Sequence, residues 1–410
     1  MTGDLLDGVV DEAGALLEDV VALRRRIHEH PELGLELPDT QATVLEALDG
    51  LPVAVTTGAS TTSVVAVLDG DEPGPTVLLR GDMDALPMPE DTGLEYASRV
   101  AGAMHACGHD AHTAMLVGAT RLLAARRGSL RGRVAFMFQP GEEGHAGARY
   151  MLDEGLLATA ADGAEPVSMA FAIHQSPNIP SGMIASKGRS IMASADEFSL
   201  TVRGRGGHAS MPHHAGDPIP VAAEIIGAIQ AMVTRRVDAF DPAVVTVTKL
   251  RAGTTTNVIP ETATMWGTIR AVSAKTRESV MADLERVATG IATAHGATAT
   301  LDMLPNGYPV TVNDEGAARF ALDTAATLLG RDQSVELPAP VMGAEDWSYV
   351  LEQVPGAMAF LGTRPPGVSP AEVAPNHSNR MVIDETAMAA GVATYAGVAL
   401  RWLAEDPTEP

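Results

Sequence analysis

Apolar residues recur at the three-to-four-residue spacing of a helix face over residues 5–28, and the pattern stops before Pro31, whose ring cannot continue a helix. Short β-rich runs follow at 63–68 and 76–80. A helical stretch at 112–125 leads to a strand at 133–138, a helix at 146–154 and the apolar run 167–173. Strands alternating with helices predict an α/β layer on a mostly parallel sheet. Near Ser190 the pattern changes. Residues 198–202 alternate apolar and polar, a helix is predicted at 218–235, strands at 243–250 and 262–270, a helix at 274–295 and a strand at 298–304. That β-α-β-β-α-β order is the ferredoxin-like arrangement. The first kind of alternation resumes after Tyr308, with a strand at 357–361 and a long last helix at 385–404. The expected organisation is an α/β domain in two parts, 1–188 and 305–410, interrupted by an inserted α+β domain at 189–304. No internal repeat is visible, and the only low-complexity stretch is the polar tail 405–410.

A chain of 410 residues is too long for one ordinary core, which agrees with two domains. Hydrophobic residues make up 46% and charged residues 20%, as in water-soluble globular proteins. The formal net charge of -24 argues against nucleic acid or an anionic membrane as partner, since both are polyanions. The first twenty residues carry Asp4, Asp7, Asp11 and Glu12 and lack the basic start and apolar core of a secretory signal. No apolar run approaches the ~20 residues that span a bilayer. A reducing, cytoplasmic setting is the simplest expectation.

The only cysteine lies in Met104-His105-Ala106-Cys107-Gly108-His109-Asp110-Ala111-His112. Thiolate and imidazole are preferred ligands of borderline-soft divalent ions. An isolated cysteine usually behaves as a small buried hydrophobe; one packed against His109 and Asp110 points to a metal. Functional groups in open α/β sheets collect beyond the carboxyl ends of strands, and polar clusters follow four strand candidates here. They are Gly81-Asp82-Met83-Asp84-Ala85-Leu86-Pro87, Gln139-Pro140-Gly141-Glu142-Glu143-Gly144, His174, and the more distant Pro375-Asn376-His377-Ser378. A carboxylate, imidazoles and a thiolate can hold two divalent ions about 3.5–4 Å apart with a hydroxide between them. Such a site needs a base to take a proton and deliver it to the leaving amine. Adjacent carboxylates are commonly an exposed acidic turn; placed after a buried strand and fixed by Pro140-Gly141, Glu142 and Glu143 can divide the work, one binding metal and the other handling the proton.

These motifs, with Gly343-Ala344-Glu345-Asp346, Arg26-Ile27-His28-Glu29-His30-Pro31-Glu32 and Gly253-Thr254-Thr255-Thr256-Asn257-Val258-Ile259-Pro260, resemble the aminoacylase and carboxypeptidase (M20) family of dinuclear metallopeptidases. The likeness is to its amidohydrolase branch, with the hippurate, auxin-conjugate and N-acyl-amino-acid hydrolases, and it extends over nearly the whole chain. The resemblance implies Cys107, His109, Glu143, His174 and His377 as metal ligands and Glu142 as general base and acid. It implies Asp84 as a carboxylate that orients a ligand imidazole. Most peptidases of the wider family begin the Asp84 motif with a metal-binding histidine; here that place is Asp82. One thiolate with several imidazoles suits Zn²⁺, Mn²⁺, Co²⁺ or Ni²⁺.

In the inserted domain, Gly204-Arg205-Gly206-Gly207-His208-Ala209-Ser210 matches neither the dinucleotide fingerprint nor the P-loop, and its glycines suit a tight turn that presents His208. By the same resemblance His208 crosses a homodimer interface to the partner's active site and stabilises an oxyanion, while Asn257 and Arg270 contact substrate, Arg270 offering a fork to a carboxylate. Arg270 as an ordinary strand-end charge is the competing reading. His28, His30, His213, His214 and His295 are assigned exposed or capping places, and His105, His112 and His145 at most supporting ones. The expected activity is hydrolysis of the amide bond of small N-acyl amino acids by a hydroxide on two divalent ions, Mn or Zn first. A dipeptidase or aminoacyl-amino-acid hydrolase is the alternative, and a non-catalytic metal-binding protein the rival from another class.

Overall fold

The computed structural model describes residues 5–161, 165–305 and 307–405. Contacts divide the chain into two compact units, one of Met1–Ile191, Val312–Ala339 and Tyr349–Pro410, the other of Met192–Thr311 and Pro340–Ser348. The change of sequence pattern places the divisions after 188 and 304; contacts place them after Ile191 and Thr311 and gather Pro340–Ser348 into the second unit. Residues 406–410 of the polar tail lie outside the described residues.

Twelve strands form the two larger sheets among the described residues. In chain order they are β1 (Ala54–Thr57), β2 (Val64–Asp69), β3 (Glu72–Asp82), β4 (Arg131–Gln139), β5 (Val167–Pro180), β6 (Ile184–Ser186), β7 (Asp196–Arg203), β8 (Ala243–Ala252), β9 (Thr262–Ala271), β10 (Thr298–Met303), β11 (Ser334–Glu336) and β12 (Gly356–Arg364). The first unit holds an eight-stranded sheet in the order β1-β2-β4-β3-β5-β12-β6-β11. Its centre is parallel, β4 with β3, β3 with β5 and β5 with β12, while β1 and β2 add antiparallel. Central strands of a parallel sheet are covered on both faces and read as continuous apolar runs. Val77, Leu78, Leu79, Val134–Phe138, Met169–Ile173 and Ala357–Leu361 are accordingly buried.

Helices His109–Ala125 and Met388–Ala404 pack on each other and on β3, β4 and β5. Tyr395 fixes the second helix to the sheet, its hydroxyl donating to the Arg80 carbonyl at 2.6 Å and accepting from the Ile173 amide at 3.0 Å. By length and composition Glu385–Ala404 is apolar enough to cross a membrane, which the sequence reading did not anticipate. Here its apolar residues, Val392, Tyr395, Val398 and Leu400 among them, are buried in the core. The expected helix over 5–28 forms as two, Val9–Ala15 and Leu17–Glu29, meeting at Leu16.

The second unit's sheet is antiparallel in the order β8-β9-β7-β10. Helices Pro218–Arg236 and Ala274–Ala294 supply its core through Val221, Ile225, Ile229, Val280 and Leu284. This is the ferredoxin-like arrangement of the sequence. Each helix starts on a side-chain cap, Asp217 on the Ile219 amide and Ser273 on that of Thr276.

Candidate metal centre

Parallel register brings the polar clusters of the first unit to one end of its sheet. Asp82 pairs with Gln139 at the end of β3 and β4, Arg80 lies opposite Ala172, and Phe360 lies opposite His174. Beyond β3, Gly108 turns the chain into the helix that starts at His109. Gly108 has φ +85°, and a Cβ there would stand 2.5 Å from Gln175 Cγ, so the turn requires glycine on two counts. Gly141, at φ +71°, makes the corresponding turn before Glu142.

The donors converge. Cys107, His109 and His174 place one donor atom each within 4.8 Å of one another, as do Cys107, Glu143 and His377. Cys107 belongs to both triads, and its Sγ is 3.4 Å from His174 Nε2. His174 Nδ1 donates to the Gln175 carbonyl at 2.6 Å, which leaves Nε2 with its lone pair facing the thiol. Burial and His112 hold His174 well below the ordinary histidine range, hence neutral, as a ligand must be. His109 Nδ1 donates to the Asp84 carbonyl oxygen at 2.8 Å, while Nε2 is buried and makes no hydrogen bond. The carboxylates nearest Nε2 are Asp82 at 3.4 Å, Glu142 at 3.9 Å and Glu143 at 4.0 Å. Burial pushes the His109 pKa down, but Asp82, Asp84 and Glu143 outweigh it and raise it to about 10. The pocket therefore draws positive charge to that nitrogen, as proton or as metal ion. Burial likewise opposes ionisation of Glu143, and His377 and His109 outweigh it and keep its pKa lowered. This set of thiolate, imidazoles and carboxylates around an orphaned buried nitrogen fits divalent ions.

Glu142 is buried beside this cluster. Asp84 accepts from the Glu142 amide on Oδ1 and from the Glu143 amide on Oδ2, both at 2.9 Å. Its carboxylate thus holds the Glu142-Glu143 turn, and the His109 imidazole takes the Asp84 main-chain carbonyl in preference to the carboxylate, which is 3.4 Å away. His377 sits at φ +67°, an uncommon conformation for a side-chain-bearing residue, with Nε2 3.2 Å from Glu143 Oε1.

His112 has both ring nitrogens engaged. Nδ1 donates to Asp82 Oδ1 at 2.6 Å, and Nε2 accepts from the Gln175 amide at 2.7 Å. It supports the site without a lone pair to offer. Asp82 is buried; Arg80, His109 and His112 overcome the cost of burial and keep it far below the usual carboxylate range. His105 is buried with neither ring nitrogen hydrogen-bonded, and burial pushes it down to about 3, hence neutral. The expectation for His28 fails. Instead of an exposed or capping place it is buried, its Nδ1 2.7 Å from Asp110 Oδ2, to which Arg24 Nε also donates at 2.7 Å. A charge inside the core needs such partners, and Asp110 is the residue after His109. His30, His145, His213, His214 and His295 are exposed. Sequence reasoning missed Arg24 and Gln175, and it quoted Asn376 within its cluster without giving it a role; adjacency to His174 was the only signal for Gln175.

In the second unit His208 is exposed on a two-residue strand, Gly207–His208, paired with Val258–Ile259, which brings Asn257 next to it in the fold. Asn257's carbonyl accepts from the Ala209 amide at 3.1 Å. His208 Nδ1 accepts from the Ser210 amide at 3.1 Å, so a neutral ring carries its proton on Nε2. Arg270, on β9, is half-buried; burial lowers its pKa against the pull of Asp196 and Glu197, and no carboxylate stands within ion-pair distance among the described residues.

The family model described as peptidase family M20/M25/M40 matches residues 78–401. The chain belongs to this family. Among its relatives, thermostable carboxypeptidase 1 of Saccharolobus solfataricus is 37% identical over 402 residues, 97% of this chain and 99% of that protein. N-acetylcysteine deacetylase of Bacillus subtilis is 39% identical over 345 residues, 84% and 88% of the two chains. A crystal structure from Bacillus subtilis, described as a dinuclear metal-binding peptidase of family M20, superposes with a TM-score of 0.81 at 34% identity, covering 95% of this chain and 99% of that one. M20 membership makes the protein a metal-dependent hydrolase of amide bonds.

Proposed function

We propose that the protein hydrolyses the amide bond of small N-acyl amino acids, with Cys107, His109, Glu143, His174 and His377 holding two divalent ions, Mn²⁺ or Zn²⁺ first among those that suit this donor set. The observation that carries the reading is the membership of Cys107 in two donor triads with buried Glu142 alongside. Once bound there, two divalent ions would supply Lewis-acid polarisation of the scissile carbonyl and acidify an attacking water. Glu142 takes that water's proton and passes it to the leaving nitrogen. Asp84 keeps Glu142 and Glu143 in place through their amides. His208 donates from Nε2 to the oxygen on which negative charge develops, and does so in the active site of the partner subunit of a homodimer. Arg270, whose neighbour Asp196 is paired with Arg277 at 2.6 Å, receives the carboxylate of the amino acid, and Asn257 contacts the substrate. A reducing, cytoplasmic setting suits a centre that depends on one thiolate.

The acyl reading takes support from the Bacillus subtilis N-acetylcysteine deacetylase, while the Saccharolobus solfataricus carboxypeptidase favours a second one, a peptide with a free α-amine. A panel of acetyl, benzoyl, long-chain acyl and indole-acetyl amino acids beside unblocked dipeptides separates them. The metal-loaded protein is expected to turn over acylated members, to lose activity in chelator and to recover when Mn²⁺ or Zn²⁺ is added. Turnover of the unblocked dipeptides alone would establish the second reading, and turnover of neither group would overturn both.

The trans role of His208 has its own test. H208A and E142Q homodimers are each expected to be nearly inactive, the first because losing one donor to a developing oxyanion costs about 3 kcal/mol. Unfolded together and refolded, they should form heterodimers with one intact composite site and recover part of the wild-type activity. Heterodimers that form and stay inactive would place His208's action in its own chain or nowhere.

A further inference from the structure

The first unit contains a buried side-chain amide that donates to two separate segments, each bearing a proposed metal ligand. Gln175 is fully buried. Its side-chain Nε2 donates to the Cys107 carbonyl at 2.7 Å and to Asn376 Oδ1 at 2.8 Å, while Oε1 accepts from the Thr363 hydroxyl at 2.7 Å. The orientation of the amide is settled by its partners, since the Cys107 carbonyl can only accept. On the main chain, the Gln175 amide donates to His112 Nε2, and its carbonyl accepts from His174 Nδ1. One residue therefore holds the loop that carries Cys107, the ring of His174 and the residue before His377. Packing adds to this, because Gly108 leaves open the space that the Gln175 side chain fills.

We propose that Gln175 is a positioning residue for the metal centre, and that its carboxamide sets how tightly the centre holds its ions. This inference rests on the assignment of Cys107, His174 and His377 as ligands. Nothing in β5 alone requires a glutamine here. A strand interior would accept an aliphatic residue, and a purely structural role would be met by any side chain of the same volume. What an aliphatic residue cannot do is donate twice, to segments 68 and 201 residues distant in the chain. Without those bonds the Cys107 carbonyl and the Asn376 side chain lose buried partners. Both segments are loops, joined to each other on the main chain by the His377 amide donating to the Ala106 carbonyl at 2.8 Å. With the carboxamide bonds gone, that bond is left to restrain the thiolate and the His377 ring, which gain freedom that metal binding must then remove. Groups that orient metal ligands typically contribute about 10–100-fold in metal affinity.

Titration of the metal-free protein with Co²⁺ tests this, read by the thiolate-to-cobalt charge-transfer absorption and by the dissociation constant. Wild type should show the band. Q175L, which keeps the volume and the main-chain bonds, should bind Co²⁺ about 10–100-fold more weakly with an altered band. T363V, which only frees the far side of the carboxamide, should move both readouts in the same direction by less. Measured well below the melting temperature of each metal-free variant, affinity does not respond to a loss of global stability alone. A Q175L protein with wild-type affinity and band overturns the inference while leaving the ligand assignment standing. Absence of the band in wild type removes the ligand assignment, and this inference with it. Should Q175L not fold, N376A on its more accessible loop takes its place, with several-fold weaker binding expected and unchanged binding overturning the proposal.

Discussion

Purified E142Q enzyme is expected to keep its fold and its metal content and to lose at least about 10³-fold in kcat on an N-acyl amino acid. Glutamine matches glutamate in shape, and the turn that presents residue 142 is held through its main-chain amide by Asp84 at 2.9 Å, a bond the substitution leaves in place. What disappears is a group able to take a proton from water and release it to the leaving nitrogen. The side chain stands 3.9 Å from His109 Nε2, beside the proposed ligands. Steady-state kinetics with metal analysis of the same sample separates the two roles. Retention of more than about a tenth of wild-type kcat would show that Glu142 is not the base, and loss of metal would show that it is a ligand.

The second large effect is expected from C107A. Because the thiolate belongs to two donor triads, its removal should weaken the whole centre, by at least about 100-fold in affinity. Stability should change by only about 1 kcal/mol. Alanine fits between Ala106 and Gly108, and the Cys107 carbonyl that receives Gln175 Nε2 is main chain and survives. Elemental analysis after dialysis against metal-free buffer checks the first claim and thermal unfolding of the metal-free protein the second. Full occupancy in the alanine variant would take Cys107 out of the ligand set.

Both experiments depend on a distinction between residues that bind and residues that hold the binders in place. His109 and His112 lie three apart on one helix, with ring centroids 5.4 Å apart, and by composition either could be the ligand. Hydrogen bonding separates them. His112 spends one nitrogen on Asp82 and the other on the Gln175 amide, while His109 keeps Nε2 for the cluster. Asp84 shows the same division within one residue, its carbonyl orienting His109 and its carboxylate fixing the Glu142-Glu143 turn.

Much of the protein was legible before any coordinates. Periodicity located the core strands and the long helices, because a side chain's direction repeats every two residues in a strand and about every 3.6 in a helix. The β-α-β-β-α-β order of the inserted unit followed from those periods alone. Four polar clusters could be picked out because each follows a strand candidate, directly or by a loop, and the parallel sheet brings those strand ends together; the choice of ligands among them came from the family resemblance. Tertiary structure decided what local pattern does not carry. The apolar face of the last helix is as suited to a membrane as to a core until β3, β4 and β5 are packed against it. His28 reads as a surface histidine until Asp110, 82 residues away, and Arg24 surround it. Gln175 carries no motif, and its partners Cys107, Thr363 and Asn376 are 68, 188 and 201 residues distant. The choice of partner for a buried polar group is made by long-range register and burial, and that is where sequence spacing stops being informative.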